Sequence, residues 1–300
     1  MNMKNRNLDV IIPVYNEENA VLSTIEHISE ILQKNDSIEK YNIIVVDDGS
    51  SDNTANILKD NNLNFKLIVH EKNMGYGAAL KTGIENSESD YFCITDADGT
   101  YPNEDIPKLF NCILEDDLDM ITGARVGANA SIPLIRRPAK WFIGRMANHV
   151  TSKKIKDINC GLRVYKRISY IPFKPLVPDG FSFTATTLLG MISAGYKVKS
   201  VPINYYQREG KSKIRPIRDT LNFMKLVLKI GLYFAPLKVF LPVGITLFII
   251  GISWALYTFF VFDQIADLSS IVLIVSSFQV ILLALLAELI NHRVPNRYFK

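Results

Sequence analysis

Two acidic clusters carry the chemistry for which this chain is best equipped. One is Asp96-Ala97-Asp98-Gly99 and the other Asp47-Asp48-Gly49-Ser50, each directly after a short apolar run. Carboxylates at i and i+2 off a strand end can share a divalent cation and a ribose. A hard cation such as Mg2+ prefers oxygen ligands and usually keeps substrate phosphates in its shell. An Asp-x-Asp triplet alone is also common in solvated turns, and the second acidic loop along the same edge is what gives it weight. Acidic loops repel a diphosphate unless a metal and basic side chains intervene, yet they accept well from base N–H and ribose hydroxyl groups. Turn and cap duties for Asp48 and Asp52 are compatible with such contacts.

Counter-charge is available. Arg208, Lys211 and Lys213 surround Gly210. A glycine there permits close backbone approach to an anion. The following Arg215, Arg218, Lys225 and Lys229 read as residues attracted to anionic lipid headgroups.

These groups need a frame. Apolar, β-branched runs at Leu8–Val14, Tyr41–Val46, Phe65–His70, Tyr91–Thr95 and Met120–Thr122 predict strands. Helical patterns alternate with them at Asn16–Gln33, Thr54–Asp60, Tyr76–Asn86 and Asp105–Leu114. That alternation argues for an α/β fold, a mainly parallel sheet with helices on both faces. Ligands of such sheets sit at the carboxyl ends of the strands, where the acidic clusters fall. Gly127–Pro138 reads as a mobile loop, Ala139–Thr151 as a helix and Val198–Tyr206 as a late strand.

The 300 residues are 48% hydrophobic and 21% charged, which excludes disorder, collagen-like repeats and a nucleic-acid tail, so no nucleic-acid partner is expected. Composition breaks near the C-terminus. Val239–Phe262 and Leu268–Ala287 are runs of 24 and 20 residues without Asp, Glu, Lys, Arg or His. A helix crossing a bilayer needs about 20 apolar residues, so a two-helix transmembrane hairpin is predicted. Before it, Pro216–Phe234 places Ile217, Leu221, Met224, Leu228 and Leu232 at helical spacing, either as a core helix or as a basic amphipathic helix lying in the membrane interface. Basic residues flank the hairpin, and the Asp263–Asp267 link has none. The positive-inside rule then keeps both termini cytoplasmic, on the cytoplasmic side of an inner membrane. Met1–Asp9 is polar and basic, so no signal peptide is expected. Cys93, Cys112 and Cys160 have no paired spacing and read as reduced thiols.

Four ordered motifs carry a resemblance: Asp9–Glu18 (DVIIPVYNEE), Val45–Asp52 (VVDDGSSD), Asn73–Leu80 (NMGYGAAL) and Thr95–Pro102 (TDADGTYP). Together they resemble family 2 glycosyltransferases with the GT-A fold. Asn159–Arg163 (NCGLR) and Arg208–Lys213 (REGKSK) are similar to the branch containing dolichol-phosphate mannose synthase and bacterial polyprenyl-phosphate glycosyltransferases.

The resemblance covers roughly Leu8 to Arg215 and, with the composition of the C-terminal segments, divides the chain. Residues 1–215 would be the catalytic domain, 216–236 the interfacial helix, 237–290 the hairpin and 291–300 a basic tail. Pro13, Tyr15, Glu17 and Asp48 would hold the nucleobase of a nucleotide sugar. Asp96, with Ala97 beside it, would meet the ribose, and Asp98 would hold Mg2+ or Mn2+ on the diphosphate. Arg125 and Arg136 would meet the acceptor phosphate or the leaving diphosphate, and Arg208 and Lys213 would close over the phosphates. The synthase pattern has Gln two residues beyond the second Asp, where this chain has Thr100.

The implied partners are a nucleotide-sugar donor, a polyprenyl-phosphate acceptor and the membrane, with a homo-oligomer left open. The implied reaction is inverting transfer to the lipid phosphate. A phosphomonoester, with a second pKa of about 6, needs no catalytic base. Transfer to a glycan hydroxyl is the alternative, and there Asp179 or Asp157 would serve as base. Three rivals fit less well. A processive polysaccharide synthase would show Gln-x-x-Arg-Trp, absent here. A dinucleotide oxidoreductase would need a third glycine where Leu80 stands. A non-catalytic scaffold would have no need of both Asp96 and Asp98.

Overall fold

The computed structural model describes residues 6–125, 145, 148–149, 151, 155–180, 182–206, 224–225, 228–229, 231–233, 235–262 and 267–293. Its centre is set by β1 (Asn7–Val14), whose last seven residues are all buried. A strand apolar on both faces belongs inside a parallel sheet covered by helices. β1 pairs in parallel with β2 (Lys40–Asp47) on one side and β4 (Tyr91–Ile94) on the other, and β3 (Lys66–Val69) extends the β2 edge.

The remaining strands are β5 (Met120–Arg125), β6 (Arg163–Lys166) and β7 (Val198–Ile203), giving the order β3-β2-β1-β4-β6-β5-β7. β6 runs antiparallel to both β4 and β5, while β5 and β7 are parallel. The mainly parallel sheet is therefore present with one reversed strand that the hydrophobic pattern did not announce. Arg163-Val-Tyr-Lys166 reads as polar at both ends, yet Arg163 is fully buried.

Side chains alternate along β1 between two cores. Leu8, Val10, Ile12 and Val14 meet α1 (Val21–Gln33), α2 (Thr54–Lys59) and α4 (Ile106–Glu115), whereas Ile11 faces α3 (Tyr76–Glu85) and α5 (Phe183–Ser193). Each fully buried aliphatic side chain contributes about 1.5–3 kcal/mol. α5 had no amphipathic signature in the sequence because residues 183–192 are all buried, so no polar face marks its period.

At the C-terminus, α6 (Pro236–Phe262) and α7 (Leu268–Arg293) pack as a hairpin, and both are long and apolar enough to cross a bilayer. Small residues line their seam. Gly244, Gly251 and Thr258 on α6, and Ser270, Ser277 and Ala284 on α7, recur every seven residues and are buried. A seven-residue repeat keeps one seam turned toward the partner helix. Large residues such as Trp254, Phe260 and Leu283 point outward, an arrangement suited to hydrocarbon rather than water. Trp254 Nε1 donates to Asp267 Oδ2 at 3.2 Å at one end, and Leu237 N donates to Glu288 Oε2 at 3.3 Å at the other.

Several sequence expectations lie wholly or partly outside the described residues. Of the helix expected over Ala139–Thr151, Arg145, Asn148, His149 and Thr151 are described and helical. Of the amphipathic helix before the hairpin, Met224, Lys225, Leu228, Lys229 and Gly231–Tyr233 are described and helical. Gly127–Pro138, with Arg136, and the Arg208–Lys213 segment lie outside.

Candidate active site

Chain order reverses at β1: β2 lies on one side and β4 on the other. The crevice at such a switch point is where open α/β sheets bind ligands. The loops leaving β1, β2 and β4 meet there, and each carries sequence-predicted residues.

The β1 and β2 loops are fastened together. Asn16 N donates to Ser50 Oγ at 2.9 Å, Ser51 N to Asn16 Oδ1 at 2.8 Å, and Glu17 N to Thr54 Oγ1 at 3.0 Å. Asn16 takes φ +55°, a conformation Asn tolerates better than most residues. Pro13 is buried in β1, and Tyr15 and Glu17 are half-buried beyond it.

Asp48, expected at a nucleobase, has both carboxylate oxygens engaged within the chain. Oδ1 accepts from Met74 N at 2.9 Å and lies 2.8 Å from His70 Nδ1, and Oδ2 accepts from Gly75 N at 2.8 Å. The carboxylate thereby holds the turn that leads into α3. Its neighbour Asp47 is fully buried, and Asp47 Oδ2 is among the few buried polar atoms without a hydrogen-bond partner among the described residues.

After β4, both members of the acid pair are partly exposed and each is oriented by a hydroxyl. Tyr76 OH donates to Asp96 Oδ1 at 2.9 Å. Thr100 donates to Asp98 Oδ1 through Oγ1 at 2.7 Å and through its amide at 3.2 Å. Thr100 is buried, so it acts on the site through Asp98. Ala97 is also buried, and its carbonyl accepts from Thr24 Oγ1 at 3.1 Å. That bond ties the centre of the triplet to α1.

Arg163 supports the floor. Its guanidinium donates to the carbonyls of Cys160, Thr184 and Ile158, which holds Gly161 beneath Asp96. A Cβ on Gly161 would lie 3.0 Å from Asp96 Oδ2 and from the Tyr101 ring. Gly161 N donates to Tyr101 OH at 2.7 Å. Burial first, then the Asp96 charge, pushes the Tyr101 phenol well above its usual range.

The remaining described candidates are paired. Arg125 grips Asp157 and lies over the Tyr205 ring at 5.2 Å. The Asp179 carbonyl accepts from Ala78 N at 3.0 Å, at the start of α3, while its exposed carboxylate meets Lys81 Nζ at 2.7 Å. Tyr76, Tyr101, Gly161 and His70 were not singled out from the sequence, and Thr100 was noted only as a departure from the synthase pattern. Tyr76 lies inside the Asn73–Leu80 motif, and its i+20 separation from Asp96 hid the contact.

The donor set fits a hard divalent cation. Two carboxylates off one strand end offer oxygen ligands, and Mg2+ or Mn2+ is commonly held by one or two carboxylates with substrate phosphates completing the shell. Among the described residues no group of three or more His, Cys, Asp or Glu could hold a metal by itself.

Fold and site together define a class. Residues 9–171 match the family described as glycosyl transferase family 2, and this chain belongs to it. Residues 235–292 match the GtrB C-terminal hairpin, which together with the two apolar helices associates the chain with a membrane.

Among its relatives is the dolichyl-phosphate hexose transferase of Haloferax volcanii, 27% identical over 75% of this chain and 94% of that protein. The dodecaprenyl-phosphate galacturonate synthase of Rhizobium johnstonii is 25% identical over 94% and 87%. The low-salt glycan biosynthesis hexosyltransferase Agl6 of Haloferax volcanii is 26% identical over 82% of this chain, which spans only 58% of that protein's length. In fold, the chain is similar to glucosyl-3-phosphoglycerate synthase from Mycobacterium tuberculosis in complex with UDP, with a TM-score of 0.58, 17% identity, and 75% and 80% of the two chains covered. The same enzyme with Mn2+, UDP-glucose and phosphoglyceric acid gives 0.56 and 16%, with the same coverage.

Proposed function

We propose that this protein transfers a sugar from a nucleotide sugar to the phosphate of a polyprenyl carrier, undecaprenyl or dolichyl, at a membrane surface. The observation that carries this reading is the acid pair Asp96 and Asp98, at the switch point of a family 2 fold whose chain ends in an apolar hairpin. Relatives named for transfer to dolichyl and dodecaprenyl phosphates support the acceptor class.

Pro13, Tyr15 and Glu17 line the nucleobase end, with Asp48 shaping it through the turn at Met74 and Gly75. Asp96 accepts from the ribose hydroxyls. Asp98 would hold Mg2+ or Mn2+, which supplies Lewis-acid stabilisation to the departing diphosphate. Arg125, Arg136, Arg208 and Lys213 add positive charge around the phosphates, a preorganised field worth most where water is excluded. The acceptor phosphate is already anionic near neutral pH, so its oxygen attacks the anomeric carbon directly, opposite the leaving group, with inversion. Asp179, turned toward Lys81, has no required role as a base with this acceptor.

The hairpin gives the acceptor its proximity. A polyprenyl phosphate is confined to the headgroup layer, and anchoring the catalytic domain there raises its effective concentration. Both termini lie on the cytoplasmic side in this proposal, with residues 1–215 catalytic, 216–236 interfacial, 237–290 spanning and 291–300 a basic tail. The test is incubation of membranes containing the protein with a panel of nucleotide sugars and polyprenyl phosphate, with and without chelator. Mass spectrometry should detect a glycosyl-phosphoryl lipid only when metal is present. Product that is unaffected by chelation removes the metal role, and no lipid product with any donor removes the acceptor.

A further inference from the structure

Tyr76 lies between the two acidic loops. Its hydroxyl donates to Asp96 Oδ1 at 2.9 Å, and the turn that delivers it is anchored on three sides. From β2, Asp48 accepts the amides of Met74 and Gly75 at 2.9 and 2.8 Å. From the segment before α5, the Asp179 carbonyl accepts Ala78 N at 3.0 Å. Along α3, Thr82 Oγ1 lies 3.0 Å from His70 Nε2, whose other ring nitrogen meets Asp48.

The backbone leaves little room for adjustment. Gly75 takes φ +107°, and a Cβ there would stand 2.5 Å from the Asp179 carbonyl oxygen. A left-handed conformation with backbone this close admits only glycine. Gly161 leaves the Asp96 carboxylate its place: a Cβ there would stand 3.0 Å from Oδ2.

The chemistry of the contact is unambiguous in direction. Burial first, reinforced by the Asp96 charge, raises the Tyr76 phenol well above its ordinary value. The proton stays on the phenol at neutral pH, and the phenol donates to the carboxylate. A hydroxyl donating to an ionised carboxylate is among the stronger hydrogen bonds available. It occupies one oxygen and sets the plane in which the carboxylate presents its other lone pairs.

We propose that Tyr76 is a positioning residue for the nucleotide: its hydroxyl, carried on the turn pinned by Asp48, aims the Asp96 carboxylate at the ribose. The inference rests on the donor-site reading of Asp96 given above. A carboxylate already held in its binding orientation loses less freedom when the ligand arrives, so removing the hydroxyl lowers affinity without removing any group that touches the nucleotide.

The experiment uses the full-length chain in detergent, titrated calorimetrically with UDP and with GDP in the presence of Mn2+. Wild type, Tyr76→Phe, Asp96→Asn and the double variant are compared, each with a thermal melt. Tyr76→Phe should bind the preferred diphosphate about tenfold more weakly, the upper end of what ordering one side chain on binding costs, while still melting in one cooperative transition. In the Asp96→Asn background the same substitution should add no further loss, because the phenol acts only through that carboxylate. Wild-type affinity in Tyr76→Phe, or an equal loss in both backgrounds, overturns the positioning role while leaving the donor reading intact. A wild-type chain that binds neither diphosphate overturns the donor reading and the positioning role together.

Discussion

Arg125 closes on Asp157 through two parallel hydrogen bonds, Nε to Oδ2 at 2.6 Å and Nη2 to Oδ1 at 3.0 Å. The Arg125 amide also donates to Asp157 Oδ2 at 3.2 Å. The pair joins the end of β5 to the segment ahead of β6, strands that are hydrogen-bonded neighbours in the sheet but far apart in sequence. Burial disfavours both charges, yet the hydrogen bonds and mutual attraction win, lowering the Asp157 carboxyl and raising the Arg125 guanidinium.

Asp157→Asn should therefore destabilise the fold by about 2–3 kcal/mol, below the ~3–5 kcal/mol of a fully buried broken pair, because both side chains keep some solvent contact. The sign with pH follows from the lowered carboxyl. Its contribution is complete above the unfolded value of about 3.9 and disappears as pH falls through the folded one. Thermal melts of the two proteins should differ by a constant amount near neutrality and begin to converge only as pH falls below about 4. A gap that persists into acid would contradict the ion pair.

Thr100 stands where the synthase pattern has Gln, and its hydroxyl is spent on Asp98. Thr100→Val keeps the shape and removes that donor, so the Mn2+ concentration giving half-maximal activity should rise about three- to tenfold. Thr100→Ser should stay near wild type. Equal metal dependence in Val and wild type would show that the hydroxyl does not orient Asp98 for the ion.

Thiol chemistry offers an independent check on burial. Cys93 and Cys160 are buried, and burial pushes the Cys160 thiol up to about 11 and the Cys93 thiol higher still. Cys112 is partly exposed, with Sγ 3.4 Å from Lys199 Nζ. N-ethylmaleimide at neutral pH should add one label to the native protein and three after unfolding, by intact mass. Native labelling at Cys93 or Cys160 would contradict the core packing.

In the hairpin, a Cβ on Gly244 would stand 2.5 Å from Ile281 Cγ1, and one on Gly251 would stand 2.9 Å from Ile274 Cγ1. A Gly244→Leu, Gly251→Leu double variant should splay the helices, because overpacking a tight seam costs about 1–3 kcal/mol per site. It should stay in the membrane fraction after a carbonate wash, since outward apolar residues are untouched. Its hairpin should become sensitive to protease in detergent where wild type is protected. Equal protection would mean that the seam is not set by these glycines.

Local pattern was enough for much of this architecture. Runs such as Val10–Val14 and Ile43–Val46 declare strands because burial on both faces demands unbroken apolar residues. The two long uncharged runs declare the hairpin because a bilayer sets a minimum apolar length. The acid pair at Asp96 and Asp98 was legible because a strand end followed by Gly leaves carboxylates facing a crevice.

Partnership was not legible, because it depends on residues brought together from distant parts of the chain. The short β6 slots between β4 and β5, although β5 precedes it by almost forty residues, and no local propensity encodes which neighbour a strand will find. Asp48, Arg125 and Asp179 look alike in sequence, as charged residues near a site. Only the folded chain commits Asp48 to the amides of Met74 and Gly75, Arg125 to Asp157 and Asp179 to Lys81. Residue type set what each group could do. Which of those things it does was decided by the atoms packed against it, since a hydrogen bond depends on distances of a few ångströms that spacing along the chain does not specify.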